Sequence, residues 1–166
     1  MKAQLAVAIA LLALASTALT ADSPKKSPST RPAATFVSAE EITWGEAPPV
    51  FPKGAQMAVL FGNPSKKGPY AIRFKMPDGY KIAPHWHTQD EQLTVLTGTF
   101  VLHLGDTMDV PGHTLGPSAY HFLPARMHHA AESTGETILQ INGNGPFDIH
   151  YLDPADDPSK KASAKP

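Results

Sequence analysis

From Phe36 to Pro154 the chain repeats one motif: a short apolar or alternating run, then a cluster of Gly, Pro, Asn or Asp. The runs are Ala55–Phe61, Tyr70–Met76, Glu91–Thr97, Phe100–Leu104, Ser118–Leu123, His128–Ser133, Thr137–Ile141 and Phe147–Leu152. Runs such as "EQLTVLT" alternate with the period of a half-buried strand, and none sustains a helical period. The chain's 17 prolines argue the same way, because proline is poorly tolerated inside helices. The pattern predicts an all-β sandwich or barrel built once, since no stretch repeats another.

The flanks read differently. Residues 1–21, "MKAQLAVAIALLALASTALTA", place Lys2 before an uncharged Ala/Leu run that ends in small residues. That is the three-part pattern of a secretory signal peptide, with cleavage expected after Ala18 or Ala21 and no membrane insertion afterwards. Residues 22–35 are rich in Pro, Ser and Lys without apolar periodicity and are expected to form a disordered linker, as is the tail over 155–166. A single domain over 36–154 remains, and the protein is expected in the periplasm or the medium.

Composition narrows the chemistry. In a chain of 166 residues the net charge is -1 with 17% charged residues, which offers no basic surplus for nucleic acid. Cysteine is absent, so a disulfide framework, a thiolate metal site and a cysteine nucleophile are all excluded, and any metal must be held by nitrogen and oxygen.

Such donors gather in "GYKIAPHWHTQDEQLTVLTG", Gly79 to Gly98. On a strand, His85 and His87 point one way and Trp86 the other, so two imidazoles can reach one ion. Glu91 opens the next strand, sharing a face with Leu93 and Val95. In "FLPARMHHAAES" a third imidazole, His129, shares its face with Ala131 and Ser133, while His128 points outward. His103, His121 and His150 lie on predicted strands as candidates to support the ligands by hydrogen bonding. His113 is expected in an exposed loop.

The first of these stretches resembles the first signature of the cupins, G-x5-H-x-H-x3-E-x6-G, at Gly79, His85, His87, Glu91 and Gly98. The second signature, G-x5-P-x-G-x2-H-x3-N, is matched at Pro124 and His129. Ser118, Arg126 and Ser133 stand where it has Gly, Gly and Asn, and Gly116 is a candidate to serve the first turn instead. The resemblance implies a single jelly-roll β-barrel in which His85, His87, Glu91 and His129 bind one divalent metal. Arg126 occupies a position that favours positive φ, either as a tolerated loop change or as a guanidinium at the rim of the site.

Imidazole and carboxylate ligands suit Fe, Mn, Ni, Cu or Zn without selecting among them. The expected activity is that of a metal-dependent cupin acting on a small oxygenated molecule, by dioxygenase-like or other oxidoreductase chemistry. A metal-dependent isomerase or lyase with Glu91 as general base, and a non-catalytic binding or sensing module, remain open beside it. Trp86, sent to the outer face, needs cover from the segment around Trp44 or from a second subunit. Because cupins commonly dimerise, the resemblance implies a homodimer with Trp86 at or near the interface.

Overall fold

The computed structural model describes residues 33–163. The leader and most of the linker, residues 1–32, therefore lie outside the described residues, and no described helix is long and apolar enough to cross a membrane. Nine strands follow one another: β1 (Gly45–Glu46), β2 (Gln56–Phe61), β3 (Gly68–Met76), β4 (Lys81–Trp86), β5 (Glu91–Leu104), β6 (His113–Leu115), β7 (Tyr120–Leu123), β8 (His129–Gly145) and β9 (His150–Tyr151).

All pairings are antiparallel, in the order β1-β2-β3-β8-β4-β9. β5 lies along the other edge of β8, from Leu104↔His129 to Gln92↔Asn142, and carries β6 and β7 on its own far edge. The sheet curls about these two long strands into the barrel-like, jelly-roll form that the resemblance implies. Alternation along β3 and β8 sends Ile72, Phe74, Met76, Leu139 and Ile141 inward, all nearly or fully buried. Each contributes on the order of 1.5–3 kcal/mol by leaving water.

The strand reading holds in kind and differs in boundaries. Glu91–Thr97 and Phe100–Leu104 are one strand, as are His128–Ser133 and Thr137–Ile141. Gly98 explains the first merger: it takes φ 77 inside β5, and a Cβ there would sit 2.4 Å from the carbonyl oxygen of Glu136 and from Oγ1 of Thr137. The glycine therefore marks a bend against β8, accompanied by register shifts on both sides, and not a turn. His113, expected in a loop, starts β6 and is exposed.

The tail read as unstructured from residue 155 is helical over much of its described length. Asp153 accepts a hydrogen bond from the Ala155 amide and caps a 3-10 turn, Pro154–Asp156, and α1 (Pro158–Ser163) follows. A capping aspartate before proline starts such turns locally, without help from an apolar face.

The three aberrant signature positions are now explained in part. Ser118 (φ 70) and Arg126 (φ 64) are the positive-φ residues other than glycine among those described. Ala119 N–H donates to the Gly116 carbonyl at 3.0 Å, and Met127 N–H donates to the Pro124 carbonyl at 3.1 Å. Ser118 and Arg126 are thus each third in a turn of type II form, where glycine is favoured. Gly116 does not replace Ser118; it is the first residue of the same turn.

Candidate metal centre

The centre is assembled from three places in the sheet. β4 carries His85 inward and His87 follows directly after its last residue, β8 begins with His129 directly opposite His85, and β5 begins with Glu91. The rings of His85 and His129 lie 4.2 Å apart between centroids, those of His85 and His87 4.9 Å, and those of His87 and His129 5.2 Å. One ring nitrogen from each histidine falls within 4.8 Å of those of the other two, and all three residues are buried.

The second nitrogen of each ring identifies the first. Nδ1 of His85 donates to the Ala83 carbonyl at 2.7 Å, Nδ1 of His129 donates to the Met127 carbonyl at 3.0 Å, and Nδ1 of His87 donates to the Asp148 carbonyl. A carbonyl oxygen can only accept, so each Nδ1 carries hydrogen and, in the neutral ring, Nε2 keeps its lone pair. Burial, reinforced by the neighbouring imidazoles, holds His85 well below the ordinary imidazole range. Burial likewise lowers His129, with Glu91 opposing.

Glu91 adjoins two members of this trio. Its Oε1 is 3.7 Å from Nε2 of His87 and its Oε2 is 3.7 Å from Nε2 of His129. Its nearest partner is His121 on β7, whose Nε2 donates to Oε2 at 3.1 Å. Burial alone would raise this carboxyl. The His121 hydrogen bond and the neighbouring imidazoles outweigh it and keep the group a carboxylate. Nδ1 of His121 is buried without a hydrogen-bond partner.

Two loops hold the trio in place. Arg126, in its left-handed turn, donates its amide to the His87 carbonyl at 2.8 Å, and the Ala125 amide donates to Asp90 at 2.8 Å. From the other side comes the segment after β8. Asp148 accepts from the Thr88 amide at 2.9 Å and from the Thr88 hydroxyl, while its own carbonyl receives His87. Phe147 lies stacked on the His87 ring, 5.5 Å between centroids. The segment is a strap across the ligand-bearing end of β4.

The remaining histidines sort cleanly. Of the three proposed as supports, only His121 reaches the centre. His103 is buried but donates Nδ1 to the Val110 carbonyl at 2.8 Å and faces Glu132 on the outer side. His150 stacks on Trp86, 4.1 Å between centroids and 15° between planes, and bonds Asp148 at 3.1 Å. Within the chain, then, Trp86 is covered by β9 and by the Arg126 guanidinium 5.7 Å above the ring, while Trp44 packs under Lys75 and does not supply the cover. Asp148 and Phe147 had no signal in the sequence, because Asp148 acts on His87 through a backbone carbonyl from 61 positions away.

A cavity extends inward from the trio, walled by side chains that include Phe51, Phe74, Leu93, Phe100, Leu139 and Ile141. Three imidazoles that each commit Nδ1 to a backbone carbonyl and turn Nε2 toward one space, with a carboxylate beside them and no sulfur, suit a divalent transition metal. An open apolar chamber on one side leaves room for a further ligand.

Known structures share this architecture. The polyketide cyclase RemF from Streptomyces resistomycificus superposes with a TM-score of 0.64 at 17% identity, covering 79% of this chain and 94% of its own. A protein assigned as an acetylacetone dioxygenase from Methylibium petroleiphilum PM1 gives 0.60 at 17% identity, covering 82% and 98%. An RmlC-like cupin from Shewanella frigidimarina gives 0.53 at 17% identity, covering 68% and 91%. At these identities the likeness establishes the cupin fold. No match is found among curated proteins. The family model described as "Domain of unknown function (DUF4437)" matches residues 18–150, most of the chain, and the protein therefore belongs to that family, on a cupin fold.

Proposed function

We propose that the protein is an exported cupin that binds one divalent transition metal through His85, His87 and His129, with Glu91 alongside, and acts on a small oxygenated molecule. The observation that carries this reading is the common orientation of the three rings. Each spends its Nδ1–H on a backbone carbonyl, which leaves three Nε2 lone pairs pointing into one buried space. Burying three such groups together without a partner costs free energy, and an ion supplies the partner.

When bound, a metal of this kind supplies Lewis acidity and, for redox-active ions, a route for electrons. The chain's own part is to orient and exclude. The strap and the Arg126 turn fix the rings, the apolar walls keep water out, and Glu91 holds its carboxylate at the edge of the site. Oxidoreductase chemistry of dioxygenase type is the leading reading. The fold neighbour assigned as an acetylacetone dioxygenase makes acetylacetone a sensible first substrate to try.

A second reading rests on Glu91. In it this carboxylate, oriented by His121 at the edge of the trio, takes a proton from a bound molecule as general base, as an isomerase or lyase needs. Protein isolated from its native compartment, assayed for metal content and then for oxygen uptake with small ketones and enols, separates the two. Metal with oxygen uptake supports the first reading, and metal with substrate proton exchange but no oxygen uptake supports the second. Export is tested on the same material: a mature N-terminus after Ala18 or Ala21 is expected, and an intact Met1 in a cytosolic fraction overturns it. The proposed homodimer requires about twice the monomer mass by light scattering.

A further inference from the structure

The walls of the cavity say more about the occupant than the donors do. Every polar side chain that lines it belongs to His85, His87, His129 or Glu91, and all four sit at one pole. The rest of the lining is hydrocarbon, aromatic ring or thioether, from Met76 and Ile82 near the sheet's middle to Phe51 and Phe147. No described lysine, arginine, amide or hydroxyl side chain faces in. The free space between these walls is also small.

Resting on the reading of this pole as a metal centre, we infer that the ligand is a short molecule whose oxygen atoms sit side by side on one edge, with the hydrocarbon remainder of its body entering the apolar chamber. Polyols and sugars are rejected. The reason is accounting of hydrogen bonds: a hydroxyl carried into the chamber gives up water and meets Leu93, Leu139 or Ile141, none of which can accept or donate. A site with apolar walls tells a methyl from a hydroxyl by stranding the hydroxyl, and each stranded group weakens binding by roughly ten-fold. Phe51 and Phe147, stacked 6.0 Å apart between centroids, extend the same apolar character toward the strap.

Acetoin and erythrulose test this directly, because they share one carbon skeleton and differ by two hydroxyls on the body. The full mature chain, loaded with Zn²⁺ and labelled at isoleucine and leucine methyls, is titrated with each while the resonances of Ile82, Leu93, Leu139 and Ile141 are followed. Acetoin should move these methyls with an affinity at least ten-fold above that of erythrulose. Equal affinities, tighter erythrulose, or no response of the cavity methyls to acetoin would each overturn the inference. Failure of the metal reading is seen separately. If the chain takes up no zinc, that reading falls, and the two titrations repeated on the metal-free protein still compare the probes, since the apolar part of the lining is made without the ion.

Discussion

His121 donates Nε2–H to Oε2 of Glu91 across 3.1 Å, linking β7 to the first residue of β5. Glu91 is buried, so this hydrogen bond supports a carboxylate largely withdrawn from bulk water. Removing it strands the charge. His121→Ala should destabilise the metal-free protein by about 1–3 kcal/mol in urea unfolding, whereas His121→Gln, which keeps an N–H donor, should recover part of the loss. An unchanged midpoint in His121→Ala would mean that the bond does not support Glu91.

Asp148 offers a second test of how the trio is held. Its side chain ties the strap to Thr88 while its carbonyl receives His87. Asp148→Ala should lower zinc affinity about 10–100-fold in chelator competition without loss of the β-sheet circular dichroism signal. Thr88→Ala should weaken binding in the same direction, and the double variant should lose less than the sum, because both changes cut the same link.

Positive φ at Ser118 and Arg126 places two side chains where glycine is less strained. Ser118→Gly should raise stability by up to about 1 kcal/mol in urea unfolding. Arg126→Gly should gain less, since it also gives up the contact between the guanidinium and the Trp86 ring. A loss of stability in Ser118→Gly would show that its hydroxyl contributes more than the backbone strain costs.

The buried imidazoles set a pH dependence for the metal-free protein. His85 and His129 are both held below the free value of 6.5, so the unfolded chain takes up protons that the folded chain refuses. Their contribution is complete above pH 6.5 and is lost as pH falls below it toward the folded values. Glu91, held below 4.5, acts in the same sense at lower pH. Urea midpoints should therefore fall between about pH 7.5 and about pH 5.5. A midpoint that rises over that interval contradicts the burial of neutral rings.

Local pattern made much of this legible. The alternation at His85, Trp86 and His87 is a property of any strand, and it placed two rings inside and the indole outside before any pairing was known. The cupin signature likewise marks Arg126 as conformationally special, which its φ value bears out, whereas at Ser118 the expected substitute, Gly116, leaves the positive φ to the serine. What the pattern hid was non-local. β5 and β8 read as two strands each because Gly98 and Gly135 look like punctuation, and at Gly98 only the closeness to Glu136 and Thr137 reveals a bend within one strand. Trp86 was given no partner within the barrel because β9 reaches it only through pairing with β4.

The most direct measurement is a zinc titration of the mature chain and of His87→Ala, with metal counted by elemental analysis after dialysis and the fold checked by circular dichroism. The wild-type protein should retain about one ion per chain, and His87→Ala should retain none while keeping its β-sheet spectrum. A folded His87→Ala variant that still holds one ion as tightly as the wild type would contradict the assignment of the trio.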